Sequence, residues 1–226
     1  MSILVNSEIK LSTNTVADSK KAFHMAFPYV IPGIYRRVTD ELIVELNLLS
    51  HQDSFSADEL FSLGLTEVFD SFTAGYEPEV HAEKLFEAIC TCNGFNAKDI
   101  RDNANKLINE IKKTDKADFM DWLAKTGESD ISSSIKSLDK IANPKRHYSR
   151  ITSIGLLKIL SELDLEEKIL KDEKLMKILS EVFAINKERA EKDIGTFKNG
   201  IDKINQAIEL IKESIEREKK KQTSDK

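Results

Sequence analysis

The sequence predicts an all-α protein, a multi-helix bundle that ends in a long coiled-coil-like helix. Only 8 Gly and 4 Pro occur in 226 residues while 32% of residues are charged, which is typical of long helices rather than of sheets with many turns. With 40% hydrophobic residues, a chain of this length buries roughly 70% of its unfolded surface, so it needs no disulfide or metal to fold. Regular apolar spacing between capping residues then places the individual helices.

We expect four regions: a flexible N-terminus over 1–13, a helical bundle over 14–183, a long amphipathic helix over 184–221 and a disordered tail over 222–226. The first residues lack the basic head and continuous apolar run of a secretory signal, and they are too poor in Arg for a transit peptide. The segment 22–35, which has no Asp, Glu, Lys or Arg, is too short to span a bilayer. We therefore predict that the protein stays in the compartment where it is made.

The first two helices are separated by prolines. Thr15 or Asp18 begins a helix that ends at Phe27, because two prolines within the next five residues impose an extended joint. A second helix over 33–50 follows this joint.

The third helix has the clearest start signal. Ser56 is the expected N-cap, with Glu59 as its capping-box partner and Phe55 packed against Leu60 as a hydrophobic staple. The helix is predicted to run to Ala74.

After this helix, Gly75 is placed to adopt the left-handed conformation that ends it, and Pro78 precedes the next helical start. The apolar spacing then predicts further helices. They cover 79–92, 96–113, 115–125, 149–163 and 166–183.

A serine-rich segment separates two of these helices. Ile131, Ile135 and Leu138 keep helical spacing within it, so we predict a weak helix rather than a linker. Asn143 and Pro144 mark the expected joint.

The C-terminal helix carries a heptad pattern over about three repeats, with apolar residues at alternating steps of three and four. Its flanking positions are too mixed in charge to specify a second copy, so folding back on the bundle and self-association both stay open. The coiled-coil seam consists of Ile194, Phe197, Ile201, Ile204, Ile208, Ile211 and Ile215.

Charge is distributed unevenly. Residues 1–143 carry 15 Lys and Arg against 23 Asp and Glu, whereas 144–226 carry 19 against 16. Between 35 and 87 there are twelve acids and three bases. Such an acidic surface repels phosphate backbones, so we expect no nucleic-acid partner and favour a basic protein surface.

Glu41 and Glu45 are the first candidates for chemistry, because they lie one turn apart and share a helix face. Carboxylate-bridged metal sites also need Glu-x-x-His pairs, and no His has a Glu three residues before it. Arg37 precedes Glu41 by four residues, and Arg36 precedes Asp40 by four, so each acid has a local cation. We therefore predict that these ionic groups hold the scaffold together.

Other chemical signals are weak. The acidic group Glu77, Glu79, His81 and Glu83 lies at a helix start, where acids complement the helix dipole. Cys90 and Cys92 have neither disulfide-framework nor zinc spacing, so they are expected to be reduced and buried.

Motifs of known enzymes are missing too. There is no phosphate-binding loop, no H-E-x-x-H and no G-x-S-x-G. The prediction is no catalytic, metal or cofactor site.

Several strings together, covering about 13–220, resemble the thylakoid formation family of cyanobacteria and chloroplasts in order and spacing. The strings are TVADSKKAF (15–23), IYRRVTDELIVELNLL (34–49), LFSLGLTEVFDSFTAGYEP (60–78), YSRITSIGL (148–156) and KERAEKDIGTFKNGIDKI (187–204).

The resemblance implies a helical protein without known enzymatic activity on the cytoplasmic or stromal side of thylakoids. It implies a role in photosystem II biogenesis and repair and in the accumulation of FtsH-type membrane proteases; plant members are also linked to G-protein α-subunit signalling. Without a transit peptide, a cyanobacterial member is expected. Asn47 departs from the family string, which has His there.

The implied partners are an FtsH-type protease and photosystem II components. The oligomeric state, monomer or dimer, stays open, as does peripheral association with the membrane. Two rival functions stay open, an oligomerisation factor built on the coiled coil and a metal- or pigment-binding helical protein. The expected partner-binding residues are Tyr35, Arg36, Arg37, Glu41, Glu45, Gly75, Tyr76, Pro78, Tyr148 and Arg150.

Overall fold

The computed structural model describes residues 14–53, 55–125 and 136–224, and it confirms the all-α class. No helix in these ranges combines the length and apolarity needed to cross a membrane. The helices are α1 Val16–Ala26, α2 Gly33–Ser50, α3 Glu59–Phe72, α4 Glu79–Thr91, α5 Ala97–Ile111, α6 Lys116–Lys125, α7 Lys136–Ile141, α8 Arg150–Glu162, α9 Glu166–Lys171, α10 Glu173–Phe183 and α11 Lys187–Ser224.

Helix α3 lies at the centre and packs most extensively against α8 and α5. Two glycines allow α3 and α8 to approach closely. A Cβ atom on Gly64 would lie 1.9 Å from the backbone oxygen of Ile151, and one on Gly155 would lie 2.4 Å from that of Leu60. Any side chain at either position would force the two helices apart.

Two hydrophobic cores lie on either side of this helix pair. The first is built mainly from α1 to α4 and includes Phe23, Leu46 and Phe86. The second is built mainly from α5 to α10 and includes Phe119 and Phe183. Because α3 and α8 contribute side chains to both cores, they form the wall between them.

The caps agree with the sequence at α1 and differ at α3. Thr15 caps α1 and forms a capping box with Asp18, as predicted. The prediction of Ser56 as the α3 cap was wrong, because the Asp58 side chain accepts from the Phe61 backbone N–H instead. Arg146, from the segment before α8, pairs with the same Asp58 carboxylate.

Two further details of this region differ from the expectation. Phe55 packs against the first core, where its ring contacts that of Phe61 with centroids 4.9 Å apart, whereas Leu60, its predicted staple partner, belongs to the second core. Helix α3 also ends at Phe72, two residues before the predicted end. Gly75 does adopt the left-handed conformation, with φ of 80°.

Two predictions concern the region after α6, a weak helix in the serine-rich segment and a single helix over 166–183. Ile131 and Ile135 lie outside the described residues, whereas Leu138 is fully buried in α7. The predicted helix over 166–183 is broken at Asp172, whose side chain accepts from the backbone N–H groups of the next helix and caps α10.

The long helix α11 folds back on the bundle over its first half. Phe197 and Ile204 of the seam are buried in the first core, and Gly200 lies against the Phe72 ring of α3. Ile211 and Ile215 are exposed, because the helix continues past the bundle. The helix begins at 187 rather than 184, and it includes 222–224 of the expected tail.

Candidate interaction site

An ionic cluster joins α2 to α8, and it includes Glu41 and Glu45, for which the sequence analysis predicted a structural role. Ser149 caps α8, which places Arg150 in its first turn facing α2. The Arg150 Nε atom donates to Glu45 Oε2 at 2.5 Å, and its Nη1 atom lies 3.6 Å from Glu41 Oε2. Arg37 Nε donates to Glu41 Oε1 at 2.8 Å, which confirms the predicted pair within α2. These residues hold two helices that are remote in sequence.

The second predicted pair within α2 was wrong. Asp40 binds Lys20 of α1 at 3.3 Å, and Arg36 points into solvent. The acid therefore links two helices instead of stabilising a single one.

Burial dominates the electrostatics of Glu45. Loss of solvent raises the pKa of its carboxyl above the usual value of 4.5, although the neighbouring Arg150 acts in the opposite direction. Burial lowers the pKa of the Arg150 guanidinium, but the combined attraction of Glu45, Glu41 and Asp193 outweighs this effect, so the group stays charged. In the described ranges, no group of three or more His, Cys, Asp or Glu side chains is arranged to hold a metal ion.

Helix α11 is tied to this cluster through Tyr148. Its hydroxyl donates to Asp193 Oδ2 at 2.7 Å, and the guanidinium of Arg189 lies 6.0 Å from the centre of its ring. Tyr148 and Arg150 thus lie at the junction of α2, α8 and α11.

The other expected partner-binding residues form a second group near the start of α4. The Tyr35 and Tyr76 rings are buried, with centroids 4.8 Å apart. Gly75 faces Ile208 of α11, and Pro78 is the exposed N-cap of α4. Tyr35 and Tyr76 therefore serve the core, whereas Gly75 and Pro78 form the exposed part of this group.

An exposed apolar surface was missed by the sequence analysis. Four exposed apolar side chains lie at the end of α1, in the joint that follows it and at the start of α4, and we call this set the apolar elbow. They are Met25, Tyr29, Val30 and Val80, which are 76%, 38%, 85% and 60% exposed. The segment 22–35, which lacks Asp, Glu, Lys and Arg, is a sequence signal for three of these residues, Met25, Tyr29 and Val30.

Contacts with α4 hold the apolar elbow in place. The Tyr29 ring stacks on His81 with centroids 4.0 Å apart, and its hydroxyl accepts a hydrogen bond from Lys84 Nζ at 3.0 Å. The Phe27 ring, buried in the first core, also contacts the Tyr29 ring, with centroids 5.2 Å apart. The exposed apolar groups are thus presented on a fixed backbone.

The two cysteines are buried free thiols, which confirms the prediction. Burial raises the pKa of Cys90 to about 12 and that of Cys92 to about 11. Both thiols are therefore almost entirely protonated at neutral pH, and a protonated thiol is a poor nucleophile.

Comparison with known proteins decides the family. A sequence model described as "Thylakoid formation protein" matches residues 15–226. The chain belongs to the thylakoid formation protein family. This confirms the resemblance found in the sequence strings.

Relatives within the thylakoid formation family match over nearly the whole chain. "Protein Thf1" of Prochlorococcus marinus (strain NATL1A) is 44% identical over 200 residues, which cover 87% of this chain and 94% of the relative. "Protein Thf1" of Synechococcus sp. (strain CC9605) is 40% identical over 216 residues, covering 93% of each chain. A solved structure of Psb29 at 1.55 Å has a TM-score of 0.77 at 32% identity, covering 92% of this chain and 98% of that one.

The structure shows the role of Asn47, which departs from the expected family string. This side chain is buried, and its Nδ2 atom donates to the Asn14 backbone oxygen at 2.8 Å and to Ser19 Oγ at 3.0 Å. The position faces α1, so in this member of the thylakoid formation family it serves packing between α1 and α2.

Proposed function

We propose that this protein is a non-enzymatic auxiliary factor for photosystem II biogenesis and repair. It binds and stabilises FtsH-type membrane protease complexes at the cytoplasmic side of the thylakoid membrane. Membership of the thylakoid formation family and likeness to Psb29 support the thylakoid setting.

The apolar elbow is the observation that carries the binding role. Large apolar side chains grouped on a surface commonly mark protein contacts, and a rigid surface loses little entropy on binding. Val30 and Met25 are the most exposed of its side chains, while Tyr29 is anchored to α4. We infer that an apolar segment of the protease covers these residues.

Charge around the apolar elbow favours a basic rim on the partner. Glu77 and Glu79 are exposed at the start of α4, next to Val80. They belong to the stretch 35–87, in which acids outnumber bases by twelve to three. Complementary charges steer encounter and fix orientation more than they add affinity.

The ionic groups support an architectural role over catalysis. Glu41 and Glu45, which could in principle act as an acid and a base, are both bound by Arg150 between helices. The two thiols are buried and protonated.

Affinity purification from cyanobacterial thylakoid membranes tests this function. We expect FtsH subunits to be recovered with the tagged full-length protein. Recovery of no FtsH subunit, from a protein whose helical content is intact by circular dichroism, would overturn the proposal.

Self-association through α11 is a second candidate function, favoured by the exposed seam residues Ile211 and Ile215. Light scattering on the full chain and on an Ile211→Glu, Ile215→Glu variant tests it. A dimer that dissociates in the variant supports an assembly role, whereas a monomer in both cases excludes it.

A further inference from the structure

A groove of about 360 Å³ lies between α11 and the bundle, and we call it the α11 groove. Its floor includes Val38 of α2, Val68 of α3 and Ile154 of α8. Phe197 and Ile204 of α11 form the opposite wall. All five side chains belong to the first core, so the inside of the groove is apolar.

The edge of the α11 groove is charged. Glu41 is already bound by Arg37 and Arg150, and Asp193 accepts from the Tyr148 hydroxyl. Lys203 is exposed and has no ion-pair or hydrogen-bond partner among the residues that the structure describes. The charged residues at the edge are Arg37, Glu41, Arg150, Asp193 and Lys203.

Size and charge together restrict the occupant. Small-molecule sites occupy roughly 300–1,000 Å³, so the α11 groove lies at the lower end of that range. An alkyl chain suits the apolar floor, and an anionic group suits the free ammonium of Lys203.

We propose that the α11 groove binds a single-chain amphiphile with an anionic head group. The chain lies on Val68 and Ile154, and the head group binds Lys203 and the exposed guanidinium of Arg37. The occupant is a monomeric amphiphile and not a bilayer surface, because the apolar part lies between helices. Bound there, it contacts both α11 and the bundle and stabilises their association.

Titration calorimetry with dodecanoate below its micelle concentration tests the site on the full-length protein. We expect saturable binding of one dodecanoate per chain. The Lys203→Glu substitution replaces an attraction at the edge by a repulsion and should weaken binding by about tenfold.

Lys212→Glu is the matched control, because Lys212 is an exposed lysine of the same helix outside the groove. Both variants change the net charge equally, so a general charge effect would weaken dodecanoate binding to the same extent in both. We expect Lys212→Glu to bind dodecanoate as the wild type does. Absence of binding by the wild type, or equal weakening in both variants, would overturn the proposal.

Two further probes separate the parts of the ligand. Acetate lacks the chain and should give no binding, and dodecyltrimethylammonium reverses the head-group charge and should bind at least about tenfold more weakly than dodecanoate. Equal binding of the cationic amphiphile would overturn the assignment of the head group.

Vesicles containing phosphatidylglycerol distinguish a membrane source. Flotation of the protein with such vesicles, without binding of monomeric dodecanoate, would overturn the groove assignment. The site does not depend on the protease interaction, since each is measured without the other.

Discussion

Arg150 and Glu45 are 105 residues apart in the sequence, and the guanidinium of one donates to the carboxylate of the other at 2.5 Å. Arg150 is the first residue of α8, where a cation is unfavourable because the helix dipole is positive at that end. Glu45 and Glu41 offset this cost from α2. The pair therefore fixes the position of α8 relative to α2.

Arg150→Met should destabilise the fold, because it leaves the Glu45 carboxylate without its partner. Both side chains are partly exposed, so we expect a loss of roughly 2 kcal/mol, below the 3–5 kcal/mol of a fully buried pair. Urea unfolding measures the change. Arg37→Met removes a highly exposed pair within one helix and should cost less than about 0.5 kcal/mol. Equal losses in the two variants would contradict the structural role of Arg150.

Adding Glu45→Gln to Arg150→Met should restore part of the lost stability, since the double variant has no unpaired carboxylate in that position. The double-mutant cycle then gives the coupling between the two side chains. A coupling near zero would mean that the two groups act independently.

Stability should depend on pH through Glu45, because burial raises the pKa of this carboxyl above 4.5. The folded protein binds this proton more tightly than the unfolded chain does. The contribution of Glu45 to the free energy of unfolding is therefore fully present below pH 4.5, and it is lost as pH rises through the raised pKa. Glu45→Gln cannot titrate, so the stability of the wild type relative to this variant should fall with rising pH. Urea unfolding at a series of pH values measures it, and a constant or rising difference would contradict the assignment.

The features that could be predicted from the sequence are those that depend on residues close together in the chain. Thr15 and Asp18 form a capping box from neighbouring atoms, and Gly75 takes the left-handed turn that its missing Cβ allows. The cap of α3 could not be read in this way, because Ser56 and Asp58 both suit the position. Arg146, which arrives from a distant segment, binds Asp58 in the folded chain.

The candidate sites depended even more on tertiary structure. The spacing of Arg37 and Glu41 revealed their pair, but nothing local indicated that Asp40 would bind Lys20 of α1. The Tyr29 ring stacks on His81, which lies 52 residues later, so the link between the apolar elbow and the start of α4 appears only in the folded chain.

Gly64→Ala should be among the most damaging substitutions, because the new methyl group would overlap the Ile151 backbone at the crossing of α3 and α8. We expect a loss of about 3 kcal/mol in the free energy of unfolding. Gly195→Ala is the matched control within a helix, because a Cβ atom there meets open space. The higher helix propensity of Ala should raise the free energy of unfolding by up to about 1 kcal/mol. Thermal unfolding of both variants measures the difference in stability. A Gly64→Ala variant as stable as the wild type would contradict the close approach of α3 and α8.

Cys90 and Cys92 should resist thiol reagents in the folded protein. Both are buried, with pKa values of about 12 and about 11. A colorimetric disulfide reagent at pH 8 should detect almost no thiol in the native protein and both thiols after addition of denaturant. Rapid modification of the native protein would show that this end of α4 opens readily.

The most direct test of the interaction role compares two surface variants in affinity purification from thylakoid membranes. Val30→Asp places a charge in the apolar elbow, and Leu210→Asp makes the same kind of change at another exposed apolar residue, in α11, which is 64% exposed. FtsH should be recovered with the wild type and with Leu210→Asp, and it should be lost with Val30→Asp. Retention of FtsH by a folded Val30→Asp variant would contradict the account.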